Sequence, residues 1–262
     1  MKVLFLGYGK MGRALGDTWL KKKLVDKLVA VDPNLIEDEI TYFRNIEDVP
    51  AQFFDLIIIA VKPTSAKTLL RDLPPTFLKN TCFVSIMAGV EIKSIRKMIN
   101  HSTTPIIRVM PNTPVVVQAG CCALYTHSIL NIDLKKQVDK LFSSVGYTIW
   151  LNKEEELHII TALSGSGPAY FHLFTEAIAN AGISLGLAPE ISYALAKQTT
   201  YGTSLLQNQN NSDLAELREN VTSPNGTTYA ALQIFEKNSK LRKLTQEALN
   251  AAYNRSLELS KI

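Results

Sequence analysis

Cysteine is scarce in this chain, and so are other features that mark a disulfide-linked or membrane protein. The 262 residues include three cysteines, Cys82, Cys121 and Cys122, and no Cys-x-x-Cys spacing. An odd cysteine count argues against a disulfide framework. No apolar run approaches the roughly 20 residues of a membrane span, and the first apolar run ends in glycines, unlike a signal peptide. We therefore expect a cytoplasmic protein without a membrane association.

A large excess of charge and a recognisable acid–base pair are also missing. Lysine and arginine number 28 against 24 acidic residues, a net charge of +4, which is too small to predict a nucleic-acid partner. The sequence contains no credible catalytic triad, and its histidines share no metal-ligand spacing, so we expect no metal site. These absences favour a reaction that depends on the positioning of its reactants more than on a strong acid or base.

A glycine-rich turn follows the first apolar run. Residues 3–6 lead directly into Gly7-x-Gly9-x-x-Gly12, and a helical pattern comes next. In such a turn Gly7 permits the sharp bend, Gly9 lets the backbone approach a phosphate, and Gly12 lets the helix pack closely on the strand. The helix N-terminus offers free N–H groups to an anion. The motif predicts a dinucleotide site, with an ordinary turn as the alternative.

Short apolar runs alternate with helical patterns in the first half of the chain. The predicted strands are 2–6, 27–31, 56–61, 82–85, 104–109, 121–125 and 147–151, and the predicted helices are 11–22, 64–70, 92–99 and 133–143. This alternation predicts an α/β fold with a mostly parallel, doubly wound Rossmann-type sheet. The run from Leu56 to Val61 is apolar at every position, so both faces of that strand are expected to be covered. We assign residues 1–152 to a dinucleotide-binding domain.

From Lys153 onward the pattern is helical throughout. The predicted helices are 154–164, 168–185, 189–207, 213–221, 227–238 and 241–260. Residues 169–181 are apolar on much of the helix circumference, which is typical of a helix buried within a domain or between subunits. We predict that residues 153–262 form an all-helical domain for substrate binding and dimerisation, in a homodimer or larger homo-oligomer.

Several segments are predicted to end at the ligand-binding edge of the sheet. Asp32, twenty residues beyond Gly12, suits the ribose hydroxyls and tilts the preference from NADPH toward NADH; its alternative role is that of a turn residue before Pro33. Residues 60–63, 86–89 and 108–114 leave other strands at the same edge. In the helical half, residues 163–168 and 221–228 each precede a helix. The second loop is rich in hydroxyls and predicts a site for a small carboxylate.

Together these motifs resemble the pyrroline-5-carboxylate reductase family along the whole chain. The matching segments are 7–12, 60–63, 87–90, 110–114, 163–170 and 221–228. The resemblance implies an oxidoreductase that uses NADPH or NADH to reduce 1-pyrroline-5-carboxylate to L-proline, the last step of proline biosynthesis. It also implies a helical domain that interlocks in a dimer.

The resemblance further implies roles for individual residues. Those expected to hold the substrate carboxylate are Ser223, Gly226, Thr227 and Thr228. Thr228 also presents its hydroxyl to the ring nitrogen and is the expected catalytic residue. Those expected at the cofactor are Gly7, Tyr8, Gly9, Lys10, Met11, Gly12, Asp32, Asn45, Ala60, Val61, Lys62, Pro63, Ala88 and Gly89. Asn225 stands where the family usually has glycine, and asparagine tolerates a left-handed backbone better than most residues.

Two other functions are compatible with the residues. A hydroxyacid dehydrogenase of similar two-domain build needs a proton donor in the helical half, for which Lys197 is the nearest candidate. A nucleotide-sensing protein without turnover would keep the glycine turn but would not need the loop at 221–228.

Overall fold

Eight strands form one sheet in the computed structural model. They are β1 (Lys2–Leu6), β2 (Lys27–Val31), β3 (Thr41–Phe43), β4 (Leu56–Ile59), β5 (Cys82–Ser85), β6 (Ile106–Pro111), β7 (Gly120–Tyr125) and β8 (Gly146–Trp150). Their order in the sheet is β3-β2-β1-β4-β5-β6-β7-β8. All neighbouring strands are parallel except β6 and β7, which are antiparallel. The predicted mostly parallel α/β fold is confirmed.

Helices between the strands, and one after the last strand, cover both faces of the sheet. They are α1 (Lys10–Lys21), α2 (Pro63–Arg71), α3 (Ile92–Ile99), α4 (Ile132–Ser143) and α5 (Glu156–Ile160). The β1 and β4 side chains alternate between two hydrophobic clusters: Leu6 and Ile59 belong to one, Phe5 and Ile58 to the other. All four β4 residues are buried, which confirms the expectation that both faces are covered.

The structure describes residues 1–34, 40–99, 103–209 and 213–260. Contacts divide the chain into two compact units, one of Met1–Ser166 with Ala252–Ile262 and the other of Gly167–Ala251. The domain boundary predicted between residues 152 and 153 stays a prediction. Within the described ranges, no helix has the length and apolar character needed to cross a bilayer.

The later part of the chain is helical, as predicted. Its helices are α6 (Gly167–Ser184), α7 (Pro189–Asn208), α8 (Leu214–Asn220), α9 (Thr227–Glu236) and α10 (Lys240–Leu259). The predicted single helix over 154–164 is wrong in its detail, because α5 gives way to a π-helical turn over Thr161–Gly165. Predicted strand and helix ends elsewhere shift by one or two residues, as frayed ends commonly do.

Helix α6 is apolar but is not buried by its own chain. Phe171 and Leu173 are each 66% exposed, and Phe174 and Ile178 are more than two-fifths exposed. Only Gly167 and Ala179 of this helix are buried. Burial of α6 inside its own domain, one of the two alternatives for this segment, is therefore wrong for the single chain.

Candidate active site

The glycine turn lies where the direction of strand connection changes. Strand β1 lies between β2 and β4, and in open α/β sheets ligands bind at the carboxyl ends of strands at such a switch point. Gly7 directly follows β1 with a φ of +89°, and its N–H donates to the Val31 carbonyl at 2.8 Å. A Cβ on Gly7 would lie 2.8 Å from the carbonyl oxygen of Ala60. Both the backbone conformation and the lack of space therefore require glycine here.

The other two glycines of the motif have different surroundings. A Cβ on Gly12 would lie 2.9 Å from the Gly7 carbonyl oxygen, so glycine lets α1 approach β1 closely. Gly9 is the N-cap of α1, and a Cβ there would meet no atom within 4 Å. Among the described residues, no side chain caps this helix end and no acidic residue lies in its first turn. Gly9 is exposed, and the first N–H groups of α1 have no side-chain cap among the described residues, an arrangement that suits a bound phosphate.

A cleft of about 640 Å³ opens beside this turn. The predicted cofactor residues that line it are Gly7, Gly9, Asp32, Asn45, Ala60, Val61 and Lys62. The predicted residues outside its lining are Tyr8, Lys10, Met11, Gly12, Pro63, Ala88 and Gly89. Asn34 and Arg44 also line the cleft and were missed by the sequence analysis. Arg44 directly follows β3, a strand of only three residues that the pattern did not predict.

Asp32 has a structural role at the base of this cleft. One carboxylate oxygen accepts the Tyr8 N–H at 2.8 Å, and the other accepts the Asn34 N–H at 2.9 Å. The second bond forms the Asx-type turn that was the alternative reading of this residue. Because Asp32 also lines the cleft, the turn role and a ribose contact are compatible. The Tyr8 side chain is 1% exposed and donates to Asp17 at 2.7 Å, so only its backbone faces the turn.

Asn112, in the segment predicted to exit at the sheet edge, connects three parts of the first unit. Its side-chain NH₂ donates to the Ser164 carbonyl at 3.0 Å, and its side-chain oxygen accepts the Cys121 N–H at 2.7 Å. Asn112 is only 7% exposed. Its side chain therefore joins the loop after β6 to β7 and to the π-helical turn. With both polar groups in these hydrogen bonds, Asn112 has a structural role.

The loop over 221–228, in the second unit, leads into α9. Asn225 adopts a φ of +59°, the left-handed conformation for which glycine and asparagine are suited. Gly226 is the N-cap of α9, and a Cβ there would lie 2.4 Å from the Ser223 hydroxyl oxygen. No side chain in the described part of the chain caps α9. The Gly226 N–H donates to the Ser223 carbonyl at 3.1 Å, which closes the turn. Exposed Thr227 and half-buried Thr228 begin the helix, so their hydroxyls and the first N–H groups of α9 share one short segment.

The cysteines do not supply a nucleophile to either place. Burial raises the pKa of both Cys82 and Cys122 to about 12, and a thiol is reactive only as its thiolate. Cys121 is half-buried, and burial raises its pKa as well. No group of three or more metal-ligating side chains occurs within the described ranges.

Comparison with known proteins relates this chain to one family of reductases. The family model for pyrroline-5-carboxylate reductase dimerisation matches residues 154–259, and that for coenzyme F420-dependent NADP oxidoreductases matches residues 2–89. Pyrroline-5-carboxylate reductase of Pasteurella multocida is 31% identical over 271 residues, which cover 99% of this chain and 98% of that protein. The chain belongs to the pyrroline-5-carboxylate reductase family.

Other members of the reductase family are similarly close. Pyrroline-5-carboxylate reductase of Pseudomonas aeruginosa is 38% identical over 207 residues, covering 79% of this chain and 75% of that protein. The crystal structure of Plasmodium falciparum pyrroline carboxylate reductase with NADP bound has a TM-score of 0.88 and 32% identity, covering 99% of this chain and 98% of that one. The resemblance predicted from the motifs is confirmed.

Proposed function

We propose that this chain reduces 1-pyrroline-5-carboxylate to L-proline with NADPH or NADH. Family membership supports the activity, and the two uncapped helix N-termini support the placement of its ligands. The observation that carries the most weight is the open N-terminus of α1 at Gly9, where a Cβ would meet no atom within 4 Å and no described side chain caps the helix, beside a cleft of about 640 Å³. Alternative roles for a glycine turn do not need that space.

The cofactor site is assigned to the residues around this cleft. The pyrophosphate lies on the turn from Gly7 to Gly12, with the adenosine ribose toward Asp32. The predicted residues after the neighbouring strands, Asn45, Ala60, Val61, Lys62, Pro63, Ala88 and Gly89, hold the rest of the dinucleotide. When bound, the reduced nicotinamide supplies the hydride that goes to the C=N carbon of the substrate.

Asp32 sets the cofactor preference in this proposal. Its negative charge disfavours the 2′-phosphate of NADPH, whereas Arg44, which lines the same cleft, favours it. The two residues oppose each other, so we expect both cofactors to be accepted with a modest advantage for NADH. The ratio of kcat/KM for the two cofactors measures this preference.

The loop from Ser223 to Thr228 is assigned to the substrate carboxylate. Ser223 and Thr227 offer hydroxyls, and the first residues of α9 offer N–H groups and the positive end of the helix dipole. The Gly226 N–H donates to the Ser223 carbonyl at 3.1 Å, so Gly226 contributes the room and the shape of the turn. The Thr228 hydroxyl holds the ring nitrogen, which arrives protonated or takes its proton from solvent. No strong acid is required, because the C=N carbon is already electrophilic and orientation supplies most of the rate.

A second copy of the chain is the proposed cover for the exposed apolar face of α6. Phe171 and Leu173 lie on a helix within the region that matches the family's dimerisation model. Removing such an apolar surface from water on association is favourable by roughly 25 cal/mol per Å². We propose a homodimer or larger homo-oligomer in the cytoplasm. Light scattering measures the mass, and a monomer at micromolar concentration would contradict this part of the proposal.

The activity is tested by following NADPH and NADH oxidation with 1-pyrroline-5-carboxylate and, as a control, with a 2-keto acid. We expect turnover with the cyclic imine alone, and L-proline as the product by chromatography. Turnover with the keto acid would indicate a hydroxyacid dehydrogenase instead, for which the exposed Lys197 is the candidate proton donor. Cofactor binding without turnover of either compound would indicate a nucleotide sensor.

A further inference from the structure

The C-terminal end of α10 lies against the loop that follows β5. Residues from Ala252 onward belong to the same compact unit as the sheet. A Cβ on Gly89 would lie 3.0 Å from the Leu259 Cβ, 3.3 Å from the Leu259 carbonyl carbon and 3.5 Å from the Ser260 nitrogen. Gly89 also has a φ of +79°. The tip of this loop, at Gly89, therefore packs closely against Leu259 and Ser260.

A buried hydrogen bond fixes this end of α10 in place. Nδ1 of His158, on α5, lies 2.9 Å from the hydroxyl oxygen of Ser256. His158 is 4% exposed and Ser256 is 3% exposed. A buried polar pair is directional, because each partner left alone would lose its hydrogen bond inside the protein. Ser256 precedes Leu259 by three residues, about one helical turn, so the bond also sets where Leu259 lies.

The two ends of the β5–α3 loop have their own supports. The Met87 N–H donates to the Ser85 hydroxyl at 3.3 Å, and the Ile92 N–H donates to a carboxylate oxygen of Glu154 at 2.7 Å. Arg108 holds the same Glu154 oxygen at 2.8 Å, so the start of α3 is firmly anchored. The contact between Gly89 and Leu259 adds a support between these two anchors.

We infer that the C-terminal segment over 252–260 positions the loop over 86–90 for catalysis, with His158 and Ser256 as positioning residues. This inference rests on the proposed function, in which Ala88 and Gly89 contact the dinucleotide. Residues of this segment are not among those that line the cleft beside Asp32. In the proposed function the adenosine half lies at that cleft, and we assign the loop over 86–90 to the nicotinamide half. The segment therefore acts on the placement of the nicotinamide and not on the binding of the adenosine half.

The test compares three variants with the wild-type protein. Ser256→Ala removes the buried hydroxyl, a stop codon after Glu258 removes Leu259 and the residues beyond it, and Asn254→Ala, at an exposed position of α10, is the matched control. We expect kcat with 1-pyrroline-5-carboxylate to fall about tenfold in the first two variants, since a misplacement near 1 Å costs rate steeply. Their affinity for ADP-ribose, which lacks the nicotinamide, should stay within twofold of wild type.

Two further readouts separate positioning from a general loss of folding. The deuterium isotope effect with 4-deuterated NADPH should rise in the first two variants, because hydride transfer becomes slower relative to the other steps. Hydrogen exchange of a peptide covering the loop over 86–90 should speed up, and this readout does not depend on the substrate being correct. Unchanged kcat and unchanged exchange in the truncated protein would overturn the inference, as would an equal loss of ADP-ribose affinity.

Discussion

Replacing Gly9 with alanine adds one methyl group in the space proposed for the pyrophosphate. The free protein has room for it, since φ is −73° and a Cβ meets no atom within 4 Å. Alanine is a poorer N-cap than glycine by roughly 1 kcal/mol, and its stiffer unfolded chain offsets about 0.4–1 kcal/mol of that. We therefore expect the free energy of unfolding to change by less than about 1 kcal/mol, measured by urea denaturation.

Cofactor binding is expected to respond far more strongly than stability. A methyl group at Gly9 keeps phosphate oxygens from the first N–H groups of α1, and a hydrogen bond to a charged group contributes about 1.5–3 kcal/mol. The Kd for NADPH or NADH should rise about 10- to 100-fold, measured by calorimetric titration. An unchanged Kd in a folded Gly9→Ala protein would refute the placement of the pyrophosphate.

Two variants on the same helix serve as controls. Lys21→Ala changes an exposed residue in the last turn of α1 and should alter neither stability nor Kd beyond about 0.5 kcal/mol. Gly12→Ala introduces a Cβ 2.9 Å from the Gly7 carbonyl oxygen. Overpacking of this kind costs about 1–3 kcal/mol, so this variant should lose stability even without cofactor, in contrast to Gly9→Ala.

Four further outcomes are expected. Thr228→Ala should lower kcat about 10- to 100-fold through the loss of one hydrogen bond to a charged group while the cofactor Kd stays the same, with Thr228→Ser retaining most activity; equal losses of turnover and cofactor affinity would show that the loop is merely structural. Asp32→Asn replaces a carboxylate that accepts two backbone N–H groups, one on each oxygen, with an amide that has one acceptor oxygen, so it should lower the free energy of unfolding by about 1–3 kcal/mol. It should also raise the ratio of kcat/KM for NADPH over NADH, and an unaltered ratio would remove Asp32 from the ribose site. Near pH 7.5 a thiol reagent should modify Cys121 first, because burial raises the pKa of Cys82 and Cys122 to about 12; three equally fast thiols would contradict this. Burial and the nearby Arg108 lower the pKa of His158 below its usual 6.5, so the imidazole binds a proton more tightly in the unfolded chain than in the folded one. The free energy of unfolding should therefore fall as the pH drops below 6.5. His158→Asn should flatten that fall when urea denaturation is measured across pH.

The sequence predicted the elements whose signal is local. Strands β1, β2 and β5 and helix α3 have the predicted bounds, because each is a short apolar run or an amphipathic helix between clear turns. The motif from Gly7 to Gly12 predicted the tight turn and the close packing of α1, since these follow from the missing Cβ atoms. Family membership could also be predicted from the sequence, because several motifs along the chain match the same family.

The features that were missed depend on residues far apart in the sequence. Strand β3 has three residues and forms only by pairing with β2, so its pattern is too short to detect, and Arg44 beyond it was missed as well. The His158–Ser256 bond joins residues 98 positions apart. The exposure of α6 was not predictable either, since an apolar helix has the same pattern whether its own chain or a second copy covers it.

A crystal structure of the protein grown with NADPH and L-proline tests the central placement most directly. The pyrophosphate should lie within hydrogen-bond distance of the N–H groups that follow Gly9, and the proline carboxylate should contact the hydroxyls and N–H groups between Ser223 and Thr228. The proline ring should also face the nicotinamide in the assembled protein. A dinucleotide bound away from the glycine turn, or a proline bound away from that loop, would contradict the proposed chemistry.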